Sequence, residues 1–278
     1  MKRLLVATDL STRSQRALVR ALSLAETIGA EVHALHVVNA DLPASIAKYE
    51  RTEAAKLIQR QAEAARAGRG VPLTVDAILG HPVADVLAVA DARAVDLIVV
   101  GTHRTSPLKD LFVGATADQL IRLAKRPVLV VRDQLEHPYR RVLAPVDFSE
   151  HSRRAVEFAA RLLPNVPLGM LHVYDMPYAG LANLSKEADP AAQEQYLRSL
   201  FADDARRFLA DLGELGTQVP LRICAGQVLP VIAEEVQRQG VDLLVAGTTG
   251  RSGVARVVLG SVAADLVRRP PCDILVVP

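Results

Sequence analysis

The chain predicts an α/β fold of two tandem domains, each an open five-stranded parallel sheet with helices on both faces. Three observations carry that reading. A long block of sequence occurs twice, each copy alternates short apolar runs with amphipathic stretches, and the runs are rich in Val, Ile and Leu. Strands covered on both faces have that composition, and strand–helix alternation gives parallel sheets with right-handed crossovers.

The repeat is explicit. Arg3-Leu-Leu-Val-Ala-Thr-Asp9-Leu-Ser11 returns as Arg141-Val-Leu-Ala-Pro-Val-Asp147-Phe-Ser149, an offset of 138 residues. Val95-Asp-Leu-Ile-Val-Val-Gly101 returns as Val241-Asp-Leu-Leu-Val-Ala-Gly247, an offset of 146. A repeat of this length marks a duplicated domain, because solenoid units are far shorter. In the first copy, strands fit residues 3–8, 31–38, 72–78, 96–100 and 128–131. Ser14, Ala17, Leu18, Ala21, Leu22 and Ala25 have helical spacing, with Ser11 placed to cap the helix. Residues 50–67, 82–93 and 115–125 also read as helices.

The second copy follows the same plan, with strands near 141–146, 167–173, 219–224, 242–246 and 273–277. Its second helix runs through Tyr196, Leu200, Phe201, Phe208 and Leu212, a stripe that reads as core rather than as a cofactor box. The polar segment Asp133–Arg140 contains Pro138 and suits a linker, which puts the domains at 1–133 and 141–278.

Half the residues are hydrophobic and 23% are charged, a globular composition. The net charge of +2 is too small, and the 33 basic residues too scattered, to imply a nucleic-acid surface, and no nucleic-acid partner is expected. Pairs such as Arg153-Arg154 and Arg268-Arg269 fall on helix faces and ends, where solvation accounts for them. No run of eighteen apolar residues exists, and Asp9 interrupts the first one too early for a signal core. With only Cys224 and Cys272, both beside apolar runs, the expectation is reduced thiols in a cytoplasmic protein.

The chemistry points to one loop. Gly247-Thr-Thr-Gly250 is followed by nine residues and then Gly260-Ser261, which opens a helix. Glycines let backbone N–H groups approach an anion, and a helix N-terminus adds free donors and partial positive charge. The alternative is a glycine-rich turn serving chain geometry alone. In the first copy the frame is Gly101-Thr-His-Arg104, nine residues, then Gly114-Ala115, so a glycine has become arginine and the serine alanine. Ligands of open parallel sheets bind at the strands' carboxyl ends, where the strand order reverses. Asp147 ends the first strand of its copy. It either meets a ligand there or caps the next helix with Ser149. His36 and His172 fall at matching places in the second strands and read as packed or backbone-bonded. Neither a P-loop nor a G-x-G-x-x-G turn is present.

Taken together, the glycine frame, Asp147 in a Pro-Val-Asp-Phe-Ser context and Leu171-His-Val-Tyr resemble the universal stress proteins, across both halves of the chain. The resemblance implies strand order 3-2-1-4-5, the adenine nucleotide alpha hydrolase-like arrangement. It implies ATP as ligand, usually with a divalent metal such as Mg, and little or no fast turnover. By that resemblance Asp147 contacts the ribose and Val173 offers backbone to adenine. The region of Gly247, Gly250, Gly260, Ser261 and Val262 holds the phosphates, and Val146, Ala246 and Thr249 belong to the same nucleotide site. The first-half counterparts are Asp9, Val37, Gly101, Arg104, Gly114 and Thr116. No protein side chain is implied as a metal ligand.

Family dimers pair their last strands antiparallel, which residues 128–131 and 273–277 would do within one chain. A homodimer of such chains and a protein partner that reads the nucleotide state are further implications. The expectation is therefore a nucleotide-holding stress-response protein that is no enzyme, or at most a very slow ATPase, since the loop offers no general base. Arg104 either fills the phosphate position, which with Ala115 weakens the first site, or reaches a phosphate as a bidentate donor and rescues binding, and Thr116 follows with a hydroxyl. A nucleotide-free assembly module is the alternative. An adenylating enzyme fits less well, because the Ser-Gly-Gly-x-Asp-Ser loop expected after its first strand is absent.

Overall fold

Each apolar run becomes a strand. The computed structural model describes residues 1–66, 68–102, 115–132, 137–174, 190–248 and 259–278, with side chains throughout except at 115 and 190–200. The strands are β1 (Arg3–Ala7), β2 (Glu31–Asn39), β3 (Leu73–Gly80), β4 (Leu97–Gly101) and β5 (Val128–Val131). The second copy adds β6 (Val142–Pro145), β7 (Leu168–Tyr174), β8 (Leu221–Ala225), β9 (Leu243–Gly247) and β10 (Asp273–Val277). They form one ten-stranded sheet, ordered β3-β2-β1-β4-β5-β10-β9-β6-β7-β8. Each half has order 3-2-1-4-5 and parallel pairing, while β5 and β10 run antiparallel at the centre. The two expected sheets are thus continuous.

Between the strands lie α1 (Thr12–Ile28), α2 (Ala44–Arg66), α3 (Pro82–Ala92) and α4 (Ala115–Leu123). The second half carries α5 (Glu150–Leu162), α6 (Pro190–Asp211), α7 (Glu214–Gln218), α8 (Val228–Gln239) and α9 (Ser261–Arg268). Ser11 and Ser149 cap α1 and α5, accepting from the N–H groups of Ser14 and Ser152. Helix α2 starts six residues before the expected boundary at residue 50. Of residues 44–50 only Ala47 is buried, so the first turns show no apolar stripe to betray them. On α6, Phe208 is core, Leu212 is core in the turn just after it, and Phe201 tilts against His172 and Tyr174. Tyr196 and Leu200 have side chains outside the described residues.

The sheet separates two apolar layers, and each runs through both copies. Leu4, Val6, Leu97, Val99, Leu129, Leu243, Val245 and Leu275 face α1 and α5. Leu5, Ile98, Val100, Val130, Leu244 and Val276 face α3, α4, α8 and α9. The repeated Val-Asp-Leu has a structural cause. Asp96 accepts from the backbone N–H groups of Lys2 and Arg3, and Asp242 accepts from those of Arg140 and Arg141. Each carboxylate fixes the entry of its copy's first strand.

A buried polar cluster locks the copies together. Arg20 of α1, Tyr139 of the linker and Asp273 of β10 are 3%, 5% and 1% exposed. The Arg20 Nε lies 3.4 Å from Asp273 Oδ2, and the Tyr139 hydroxyl donates to that oxygen at 2.8 Å. The Arg132 N–H donates to Asp273 Oδ1 at 2.8 Å, and the Arg20 guanidinium lies 4.5 Å over the Tyr139 ring. Burial, with the Asp273 charge second, raises the Tyr139 phenol well above its ordinary range. Burial likewise pushes the Cys272 thiol up, and both cysteines are free thiols.

Two predictions follow from this packing. Replacing Asp273 by Asn strands the buried Arg20 cation and should cost about 3–5 kcal/mol in urea unfolding. A loss below about 1 kcal/mol would show that the cluster does not hold the copies. The second concerns Gly247, where a Cβ would lie 2.7 Å from the His151 carbonyl on α5. Gly247→Ala should lower stability by about 1–3 kcal/mol, read as a fall in thermal midpoint. An unchanged midpoint would show that the strand end has room to give.

Candidate functional site

The carboxyl ends of β6, β7 and β9 and the start of α9 surround a cleft of about 390 Å³ in the second half. Strands β6 and β9 are neighbours, so the first strand's exit and the glycine loop's entry share one crevice. Val146 closes the strand side, its N–H bonded to the Leu171 carbonyl at 2.8 Å. Asp147 follows, and its Oδ1 accepts from the Ser149 N–H at 3.1 Å. This tight turn holds Phe148 at φ 63°, in the left-handed region. The carboxylate therefore braces the turn that leads to Ser149, the N-cap of α5, and it also lines the cleft.

His172 reaches across from β7. Its Nδ1 is 2.8 Å from the Val146 carbonyl, and its ring stacks on Phe148 with centroids 4.2 Å apart. His36 repeats the bond to the Thr8 carbonyl at 2.7 Å. Both histidines are backbone-bonded, as their position in the sequence suggests. Each ties the turn after the first strand to the second strand.

The loop side is built from Ala246 and Gly247. Gly247 abuts the first turn of α5, so the glycine is demanded by the helix backbone behind it. Gly101 meets the Arg13 carbonyl in the same way, at 2.8 Å. The Thr248 N–H bonds to the Val277 carbonyl, and the Gly260 N–H returns to the Thr248 carbonyl at 2.7 Å. That bond brings the loop's two ends together beside the cleft. Gly260 is the N-cap of α9 and supplies no side-chain hydrogen bond. The first N–H groups of a helix have no intrahelical acceptor, so those of Ser261, Val262 and Ala263 present an anion-seeking edge to the cleft. Thr249 and Gly250 lie outside the described residues.

Val146, Asp147, Val173, Ala246, Gly247, Gly260, Ser261 and Val262 thus all line the same cleft. Sequence reasoning missed Leu171, Val228 and Ile232, which complete its apolar wall. The signal was present, since Val228 and Ile232 lie one helical turn apart at the start of α8. Among the described residues no three His, Cys, Asp or Glu side chains stand close enough to hold a metal ion. No helix there is long and apolar enough to cross a membrane.

The first half holds a smaller cleft of about 180 Å³, lined by Asp9, Val37, Gly101 and Thr116 among others. Asp9 accepts from the Ser11 N–H at 3.0 Å, the counterpart of the Asp147 turn. Thr8 stands where the second half has Val146, and its hydroxyl donates to Ser14 Oγ at 2.9 Å. Arg104 and Gly114 lie outside the described residues, as does the side chain of Ala115.

Comparison with known proteins agrees with this geometry. The family model described as the universal stress protein family matches twice, over residues 1–132 and 138–278. A universal stress protein of Methanocaldococcus jannaschii is 32% identical over 143 residues, 47% of this chain and 82% of its own length. Universal stress protein E of Escherichia coli is 24% identical over 298 residues, covering 99% of this chain and 93% of its own. Among solved structures, a universal stress protein from Archaeoglobus fulgidus superposes with a TM-score of 0.73 at 21% identity, covering 99% of this chain and 97% of its own. A twofold family match, a relative similar along the whole chain and a shared fold lead to one conclusion: the chain is a tandem member of the universal stress protein family.

Proposed function

We propose that this chain is a stress-response protein that holds ATP in its second half and hydrolyses it slowly or not at all. One observation carries the reading. The uncapped start of α9 and the Asp147 turn line a single cleft whose other wall is apolar. Triphosphate would lie against the N–H groups of Ser261, Val262 and Ala263, where donors and the helix dipole favour anions. The ribose hydroxyls would donate to Asp147, and adenine would sit among Leu171, Val173, Val228 and Ile232. Among the described residues no side-chain cluster could hold a metal, and in this reading a divalent ion would arrive on the phosphates.

Slow turnover fits the lining. The cleft's described side chains include one carboxylate, Asp147, which already accepts from the turn behind it, and one histidine, His172, which is engaged with backbone and aromatic neighbours. Neither is arranged to orient an attacking water. The first half is the lesser site in this reading, with Arg104 for the second glycine and Ala115 for the serine. Its contribution would be assembly.

Gly260 offers a test in which binding and stability move in opposite directions. Its φ of −56° is open to any residue, so Gly260→Asp imposes no left-handed strain. An aspartate there caps α9 and complements its dipole, so the nucleotide-free protein should keep its stability or gain up to about 1 kcal/mol. The same carboxylate occupies the phosphate position and should weaken ATP binding at least about tenfold by calorimetric titration. Unchanged ATP affinity in the folded variant would remove the phosphate assignment.

A further inference from the structure

The central strand pairing makes the two halves symmetric, and one of the symmetric pair of grooves beside it is open. Val128, Leu129 and Val130 pair with Val276, Leu275 and Ile274, so Leu129 faces its own counterpart across a local twofold axis. Every groove beside this axis therefore occurs twice. On one side the linker fills it, with Tyr139 inserted between Arg20 and Asp273 and Arg20 Nη1 donating to the His137 carbonyl.

On the other side the equivalent positions line an open groove of about 320 Å³. By the repeat offsets, Met1 stands in the place of Tyr139, Phe158 replaces Arg20 and Pro127 replaces Asp273. A charged, hydrogen-bonded floor has become an apolar one. The rim has changed in the opposite sense. Ser23, Pro271 and Cys272 of the filled side correspond to Arg161, Lys125 and Arg126 of the open side, while Arg16 is matched by Arg154.

Among the described residues, cationic side chains outnumber acidic ones in the groove's lining. Its one acidic side chain, Asp96, is committed to the backbone N–H groups of Lys2 and Arg3 at 2.6 and 3.0 Å. Arg154 pairs outward with Glu150 at 3.1 Å, and Arg126 lies 3.8 Å from Asp91. Among the described residues no ion pair engages Lys125 or Arg161, and both are exposed.

We propose that this groove docks an extended segment of a partner protein, carrying an aromatic residue flanked by acidic ones. The filled twin shows how such a segment can sit: Tyr139 reaches Asp273 of β10 with its hydroxyl, and its buried ring lies under Arg20 of α1. The open groove supplies an apolar floor of Phe158, Pro127 and Val277 for the ring. Its cationic rim supplies charge complementarity for the flanking carboxylates, which sets the on-rate and selects against basic segments.

The probe is a fluorescein-labelled peptide, Asp-Glu-Pro-Tyr-Glu-Asp, read by anisotropy at low salt against the full chain. Lys-Arg-Pro-Tyr-Lys-Arg and a Tyr→Ala version serve as comparisons. Binding by the acidic peptide alone, weakened at least about tenfold by the double variant Lys125→Glu/Arg161→Glu, is the expected result. Both positions are exposed, and an unchanged thermal midpoint confirms that the variant folds. Three outcomes would overturn the proposal. They are no acidic-peptide binding up to millimolar concentration, equal binding after charge reversal, and equal binding by the Tyr→Ala peptide with displacement by inorganic triphosphate. The last would make the groove a plain anion site.

Discussion

The arrangement of this protein depends on burying one ion pair where its two halves meet. Strands β5 and β10 each would be an apolar sheet edge, and antiparallel pairing removes both edges at once. Asp273 begins β10, so the pairing carries a carboxylate into the interior, where it is 1% exposed. Arg20 answers it from the other copy and Tyr139 from the linker. An unpaired charge at that depth is costly, which makes the relative placement of the halves specific.

That placement has consequences at both ends of the sheet. It joins ten strands into one layer, with the two clefts at the carboxyl ends of separate halves. Each cleft is then governed by its own lining. In the second half the turn at Asp147, the glycine at the end of β9 and the unguarded start of α9 converge. In the first half the same turn and strand-end glycine persist, but a Thr8–Ser14 hydrogen bond enters the lining. Duplication supplied two clefts from one plan, and substitution has made their linings differ. The same inequality appears beside the central strands, where one groove is filled by the linker and its twin is lined with cations.

Much of this was legible in the sequence because strands buried on both faces write long Val and Leu runs. The repeat located those runs twice, and β1, β4, β6 and β9 fall within a residue or two of the expected bounds. Of the residues proposed around the second cleft, all but Thr249 and Gly250, which lie outside the described residues, line it together because the first and fourth strands are side by side. What escaped reading had physical causes. The start of α2 is solvated and carries no stripe. Gly247 serves packing against α5 as well as the loop, a close approach that no glycine spacing reveals. Asp96 and Asp242 looked like part of a strand motif, yet they fasten the entry of the neighbouring strand. The cationic groove belongs to the pairing of the halves, so neither half alone encodes it.

The central claim is that one chain with two similar clefts holds nucleotide in the second. The most direct measurement is to purify the full chain, denature it, identify the released small molecule and count it per chain. The account predicts ATP at about one molecule per chain, with Gly260→Asp reducing it towards none. A count of about two would contradict the inequality of the halves, and the absence of nucleotide after ATP loading would contradict the site itself.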